Sequence, residues 1–198
     1  LNILLPPVMQ KILTLLGLIY LLRLTVLLYS GVAENFILFG ETVFSVDRLG
    51  LFVFTFIQVL SFIIFIFSLQ GLDKRIEKKF LILYPMTVSF CNGVVLSEHV
   101  FSFLIFWGLS GLALYLFCML GLTKGTPQTA KKTFILIGGS DAFLILGMVS
   151  IWFLKPGSSW SLIDLHIPLT GELSVVAFIC LVIAAFAKAG GFPFHTCC

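Results

Sequence analysis

The sequence predicts an all-α integral membrane protein of about six transmembrane helices, and three observations carry that prediction. Of its 198 residues, 60% are hydrophobic and only 11% charged, where a soluble domain carries about 25% charged residues. Mean hydropathy is +1.15. The apolar residues gather into runs that each approach the roughly 20 residues needed to cross a bilayer as a helix. These runs continue to the end of the chain, which does not fit a secretory signal ahead of a soluble domain.

The spans are read at 12–31, 49–69, 80–97, 99–121, 133–154 and 173–195. The first carries Arg23 in the middle of Tyr20-Leu-Leu-Arg23-Leu. An arginine stays charged and cannot relay protons; contact with a partner subunit, contact with a lipid headgroup and a displaced span boundary are the readings, and no role is assigned to it. The second span is followed by a loop at 70–79 holding Lys74, Arg75, Lys78 and Lys79. The third and fourth are separated by a tight Ser97-Glu98-His99 turn, and Trp107 lies deep in the fourth as a packing residue. The loop at 122–132 holds Lys124, Lys131 and Lys132, with Gly125 and Pro127 as turn markers. After the fifth span, Pro156-Gly157-Ser-Ser-Trp160 opens a loop expected to include a short surface helix around 161–166. Trp152 and Trp160 sit where an aromatic belt is expected.

Charge sets the sidedness. Loops 32–48 and 155–172 hold Glu34, Glu41, Asp47, Asp164 and Glu172 against only Arg48 and Lys155. Basic loops therefore alternate with poor ones. The positive-inside rule places the N-terminus, 70–79 and 122–132 inside, and 32–48, Glu98 and 155–172 outside. The net charge of +3 is read as topology and not as a nucleic-acid patch.

Several chemistries are missing. No Gly-rich phosphate loop, dinucleotide fingerprint, CxxC pair or nucleophile triad is present. No span carries the paired histidines that hold haem or copper. Cys91, Cys118 and Cys180 lie inside apolar runs as small core residues. Cys197 and Cys198 with His195 make a poor tetrahedral ligand set.

Two ionisable residues inside the spans point to ion movement. Asp141 is nine residues into the fifth span, roughly 13 Å deep at about 1.5 Å per residue. So short a side chain cannot snorkel. A structural aspartate bonded to neighbouring helices and a member of a proton path are the two readings. Lys188 stands in Ala184-Ala-Phe-Ala-Lys188-Ala-Gly-Gly-Phe-Pro193-Phe-His195. Gly190, Gly191 and Pro193 would interrupt a helix where lipid cannot satisfy the freed backbone groups. Lys188 either snorkels to the inner interface or sits near the midplane, where a desolvated lysine can exchange protons near neutral pH. His195, just past the break, is a relay candidate. His99 and His166 are read as surface histidines.

These residues resemble the antiporter-like subunits of respiratory complex I over about residues 44 to 196. Ser45-Val-Asp47-Arg-Leu49-Gly-Leu51 is similar to the family's V-D-x-L-S-L at the start of a span. Gly93-Val-Val-Leu-Ser-Glu98-His-Val-Phe-Ser-Phe-Leu-Ile-Phe-Trp107 resembles G-L-V-L-S-D-N-L-F leading to F-W-E. Gly111-Leu112 and Tyr115-Leu116 continue that motif. Lys132-Thr-Phe134 with Asp141-Ala-Phe-Leu144 resembles K-A-F and G-D-x-x-L, and Ala187-Lys188 with Phe192-Pro193-Phe-His195-Thr196 resembles K-[SA]-x-x-F-P-[LF]-H-T-W-L. The order and spacing of the pieces are specific together.

The resemblance implies the first of two inverted repeats in a larger subunit, with 1–43 as an N-terminal helix and outer loop and 44–198 as the antiporter-like module. It implies a proton-translocating subunit of an NADH:quinone oxidoreductase. Lys188 would be the central proton carrier, Asp141 a counter-charge or relay and His195 a downstream relay. The chain itself would hold no cofactor; NADH, flavin, iron–sulfur clusters and quinone would belong to partner subunits of a respiratory or hydrogenase-type complex. The setting would be a bacterial plasma membrane or mitochondrial inner membrane. Related Mrp-type cation/proton antiporters and membrane-bound hydrogenases give the alternative function, and a non-conducting paralogue is a third. Two departures stand out. The family's glutamate after the tryptophan is Gly108 here. The family's Trp-Leu after His-Thr is replaced by Cys197-Cys198, so the last helix is expected to be the first half of a discontinuous one.

Overall fold

The computed structural model describes residues 6–30, 36–38, 41–122, 125–155, 160–162 and 167–190. They form α1 (Pro7–Tyr29), a hairpin of β1 (Phe36–Leu38) and β2 (Glu41–Phe44), α2 (Arg48–Gly71), α3 (Lys74–Leu96), α4 (Val100–Met119), α5 (Thr126–Leu154) and α6 (Glu172–Lys188). The first five helices are long and apolar enough to cross a membrane. α6 has 17 residues, about 25 Å of helix against a hydrocarbon core of about 30 Å. The chain is an all-α integral membrane protein with a small hairpin outside the spans. It divides into two compact units, Leu1–Ala113 and Leu114–Cys198.

In the first unit α1, α2 and α3 pack against one another. The buried positions of α2 are Leu51, Phe54, Gln58, Ser61 and Phe65, a three-and-four spacing that keeps one face turned to its neighbours. Polar groups follow the same faces: Gln10, Thr14, Gln58, Ser61 and Asn92 are all buried. Large apolar side chains point the other way, with Phe67 81% and Val26 70% exposed. Such apolar surfaces are compatible with hydrocarbon, while polar groups in a membrane must find partners inside. Gln58 Nε2 donates to Asn92 Oδ1 at 2.7 Å, and the Tyr84 hydroxyl donates to the Ser61 carbonyl at 2.5 Å. α3 meets α4 where Gly93 leaves room for the Phe106 ring; a Cβ there would come within 2.4 Å of it.

The turns explain where the helices start. The Asp47 side chain accepts from Gly50 N at 2.8 Å and caps α2. The Asp73 side chain accepts from Arg75 N at 2.9 Å and caps α3. The basic residues expected in a loop at 70–79 are therefore helical, and only Leu72 and Asp73 separate α2 from α3. Lys131 and Lys132 lie within α5 for a similar reason: Pro127 occupies its first turn, where a missing N–H costs nothing. The loop at 32–48 carries a hairpin that was not expected. It is tied to the turn between α3 and α4, through Ser45 N to Leu96 O and Glu98 N to Val43 O, both 3.0 Å. Those two segments are ones that the charge rule puts on one side. Ser161 and Leu162 are not helical, and the remainder of the expected helix at 161–166 lies outside the described residues.

The second unit contains the end of α4, α5 and α6. Buried positions on α5 run Thr126, Ala130, Thr133, Ile137, Ser140, Leu144, Gly147 and Ser150. On α6 they run Ser174, Ala177, Cys180 and Ala184. Both are stripes of mostly small residues, which let helix backbones approach in lipid. At Gly147 a Cβ would come within 2.9 Å of Leu181. The Trp152 and Trp160 rings stack at 6.1 Å.

Candidate functional site

The α5 and α6 stripes carry the site. Lys188 is four residues beyond Ala184, so it continues the face of α6 that packs on α5. Asp141 follows Ser140, whose hydroxyl donates to the Ala184 carbonyl at 3.1 Å. These neighbours bring Lys188 Nζ to 3.8 Å from Asp141 Oδ1, with side chains 17% and 27% exposed. The separation exceeds the roughly 2.7–3.2 Å of a direct N–H···O bond. A small rotamer change or one bridging water would connect the two groups, so the contact can be made and broken without unfolding the helices.

The placement of the pair follows from helix lengths. Asp141 lies near the middle of the 29-residue α5. Lys188 is the last residue of α6 and faces it. Gly190, two residues on, has φ +64°, a left-handed conformation that glycine adopts without strain and that stops a helix. So α6 ends opposite the midpoint of α5. A cation in a final helical turn also faces the negative end of the helix dipole. Gly191, Pro193 and His195 lie outside the described residues.

The other expected features lie in the first unit. Gly108 lies on the part of α4 that belongs to the first unit, and nothing stands within 4 Å of where its Cβ would be. Arg23 is exposed on α1. Trp107 packs on Phe103, with ring centroids 5.5 Å apart. The His99 ring nitrogen Nδ1 accepts from Phe101 N at 3.3 Å, at the start of α4. Among the described residues no group of three His, Cys, Asp or Glu side chains could hold a metal ion. Sequence reasoning missed Ser140 and the Gln58–Asn92 bond. The signal for both was present in the three-and-four spacing of small and polar residues.

Fold and site together define a polytopic helical membrane protein with a charge pair between α5 and α6 where a helix stops. The family described as NADH:quinone oxidoreductase/Mrp antiporter, TM, matches residues 97–197, and the chain belongs to that family. Its matched segment is an antiporter-like membrane module of that family. An Na(+)/H(+) antiporter subunit of Alkalihalophilus pseudofirmus is 29% identical over 159 residues, covering 78% of this chain and 20% of the relative. The chain thus spans about a fifth of the length of that curated relative. Two solved structures share the fold. One is the Mrp complex from Dietzia sp. DQ12-45-1b, with TM-score 0.83 and 15% identity, covering 96% of this chain and 38% of that one. The other is the archaeal membrane-bound sulfane sulfur reductase, with TM-score 0.79 and 16% identity, covering 96% and 41%.

Proposed function

We propose that this chain supplies a proton-translocating half-site to a cation/proton antiporter-type membrane complex, with Lys188 as the proton carrier and Asp141 as its counter-charge. The observation that carries the reading is the 3.8 Å approach of these two groups at the end of α6. A lysine can both bind and release a proton, unlike an arginine. An aspartate nearby favours the charged lysine; its withdrawal favours proton release. A contact longer than a hydrogen bond suits such alternation. His195 is the proposed next relay beyond the helix end. Gly108 removes the acid that the family carries after its tryptophan, and in this reading Asp141 is the acidic partner of Lys188.

The similarity to an Na(+)/H(+) antiporter subunit supports sodium or another cation as the exchanged ion, with other membrane subunits as partners. The second reading is coupling to an NADH:quinone oxidoreductase, supported by the family description and by the V-D-x-L and K-x-x-x-F-P-x-H patterns. The test is Lys188→Ala in the complete protein within its complex, reconstituted in vesicles with a pH-sensitive dye. Loss of proton flux is expected, and flux at the parent rate would overturn the proposal. Flux started by a sodium gradient identifies the antiporter, and flux started only by NADH and quinone identifies the other reading.

A further inference from the structure

We propose that the groove between α1 and α3 holds one acyl chain of an anionic phospholipid whose phosphate is bound by Lys74 and Lys78. The groove has a volume of about 360 Å³ and is lined by Leu13, Gly17, Leu21, Pro85 and Val88 among others. Gly17 opens it, since nothing stands within 4 Å of where its Cβ would be. Its lining is mostly apolar and it lies open along the two helices, which suits a flexible hydrocarbon chain lying lengthwise.

Charge selects the headgroup. Lys11 on α1 pairs with Glu77 on α3, which fixes the two helices side by side at the basic end and neutralises that acid. Lys74, Arg75, Lys78 and Lys79 are exposed there, and none is in an ion pair among the described residues. Lys74 and Lys78 precede the groove residue Pro85 by eleven and seven positions. At about 100° per residue, both fall within roughly 20° of the Pro85 direction. Lys78 stands about 10 Å along the axis from Pro85, within reach of a chain whose headgroup lies at the interface. A zwitterionic lipid would bring its own cation to this cluster; an anionic one brings only the phosphate charge.

The test uses the complete protein in detergent, with phosphatidylglycerol and phosphatidylcholine of identical acyl chains, read by native mass spectrometry. Phosphatidylglycerol is expected to be retained about 30-fold over phosphatidylcholine, from about 1 kcal/mol for each of two lysines near the phosphate. Lys74→Gln with Lys78→Gln should abolish that preference, and the two arginine substitutions should keep it. Gly17→Leu should cut retention of both lipids, with the helix intact because leucine is the better helix former. Equal retention of the two lipids, a preference that survives the glutamine pair, or retention unchanged by Gly17→Leu would each overturn the proposal. If the glutamine pair does not fold, the Gly17→Leu arm decides alone. A photo-cross-linker at position 17 that captures a protein segment and no lipid would also overturn it.

Discussion

Single residues in the membrane act through whether they can find a partner. Lys188 and Asp141 are a hypothesis of this kind: each is costly in lipid, and each lies beside the other. Lys188→Arg should keep the charge and the folded protein but lose proton flux by at least 100-fold, the lower end of what a proton-transferring group contributes. Asp141→Asn should lower the rate less, because the carrier remains; dye-monitored flux in vesicles checks both, and an active Lys188→Arg protein would exclude proton exchange at that position. Gln58 and Asn92 give a stability prediction. Gln58→Leu alone should leave Asn92 without its buried partner and cost about 1–3 kcal/mol, while Gln58→Leu with Asn92→Leu should recover most of that. Denaturation of the two single variants and the double variant measures the coupling, and additive losses would count against the bond.

The helices are set by their ends and their small-residue stripes. Asp47→Ala removes the cap of α2 and should destabilise the protein by about 1 kcal/mol, visible as a lower thermal midpoint. Gly147 lies against Leu181 and the Ala177 carbonyl. Gly147→Leu should cost about 1–3 kcal/mol by overpacking, beyond the roughly 1 kcal/mol gained from helix propensity. It should also lower proton flux, because the α5–α6 packing sets the Lys188–Asp141 distance. A flux unchanged in a folded Gly147→Leu protein would show that this packing does not control the site. The basic segments were misplaced for a local reason: lysine-rich stretches read as loops, yet Asp73 and Pro127 start helices ahead of them.

At the scale of the whole molecule, the alternation of basic and poor loops makes a sidedness prediction. Cysteines replacing Lys79 and Lys132 should label from the inner face, and cysteines replacing Glu98 and Glu172 from the outer face. An impermeant thiol reagent in oriented vesicles checks it; labelling of both sets from one side would contradict the orientation. Charge assigned the loop at 32–48 and Glu98 to one side, and in the fold Glu98 N donates to Val43 O of that loop, which agrees with their sharing a side.

By itself the sequence determined that the chain is an all-α integral membrane protein, roughly where its helices fall, and which ionisable residues stand in its apolar runs. It did so because the cost of placing charge in hydrocarbon acts on every residue and leaves a mark in composition. Helix periodicity also marks the buried face of α5 and α6, but a face does not name the neighbour it meets. Only the tertiary structure decided that Lys188 ends its helix beside Asp141, and that Ser140 and Ala184 set that register. The physical reason is that the pairing depends on how closely two stripes of small residues let their backbones approach, and close approach is a property of both helices together.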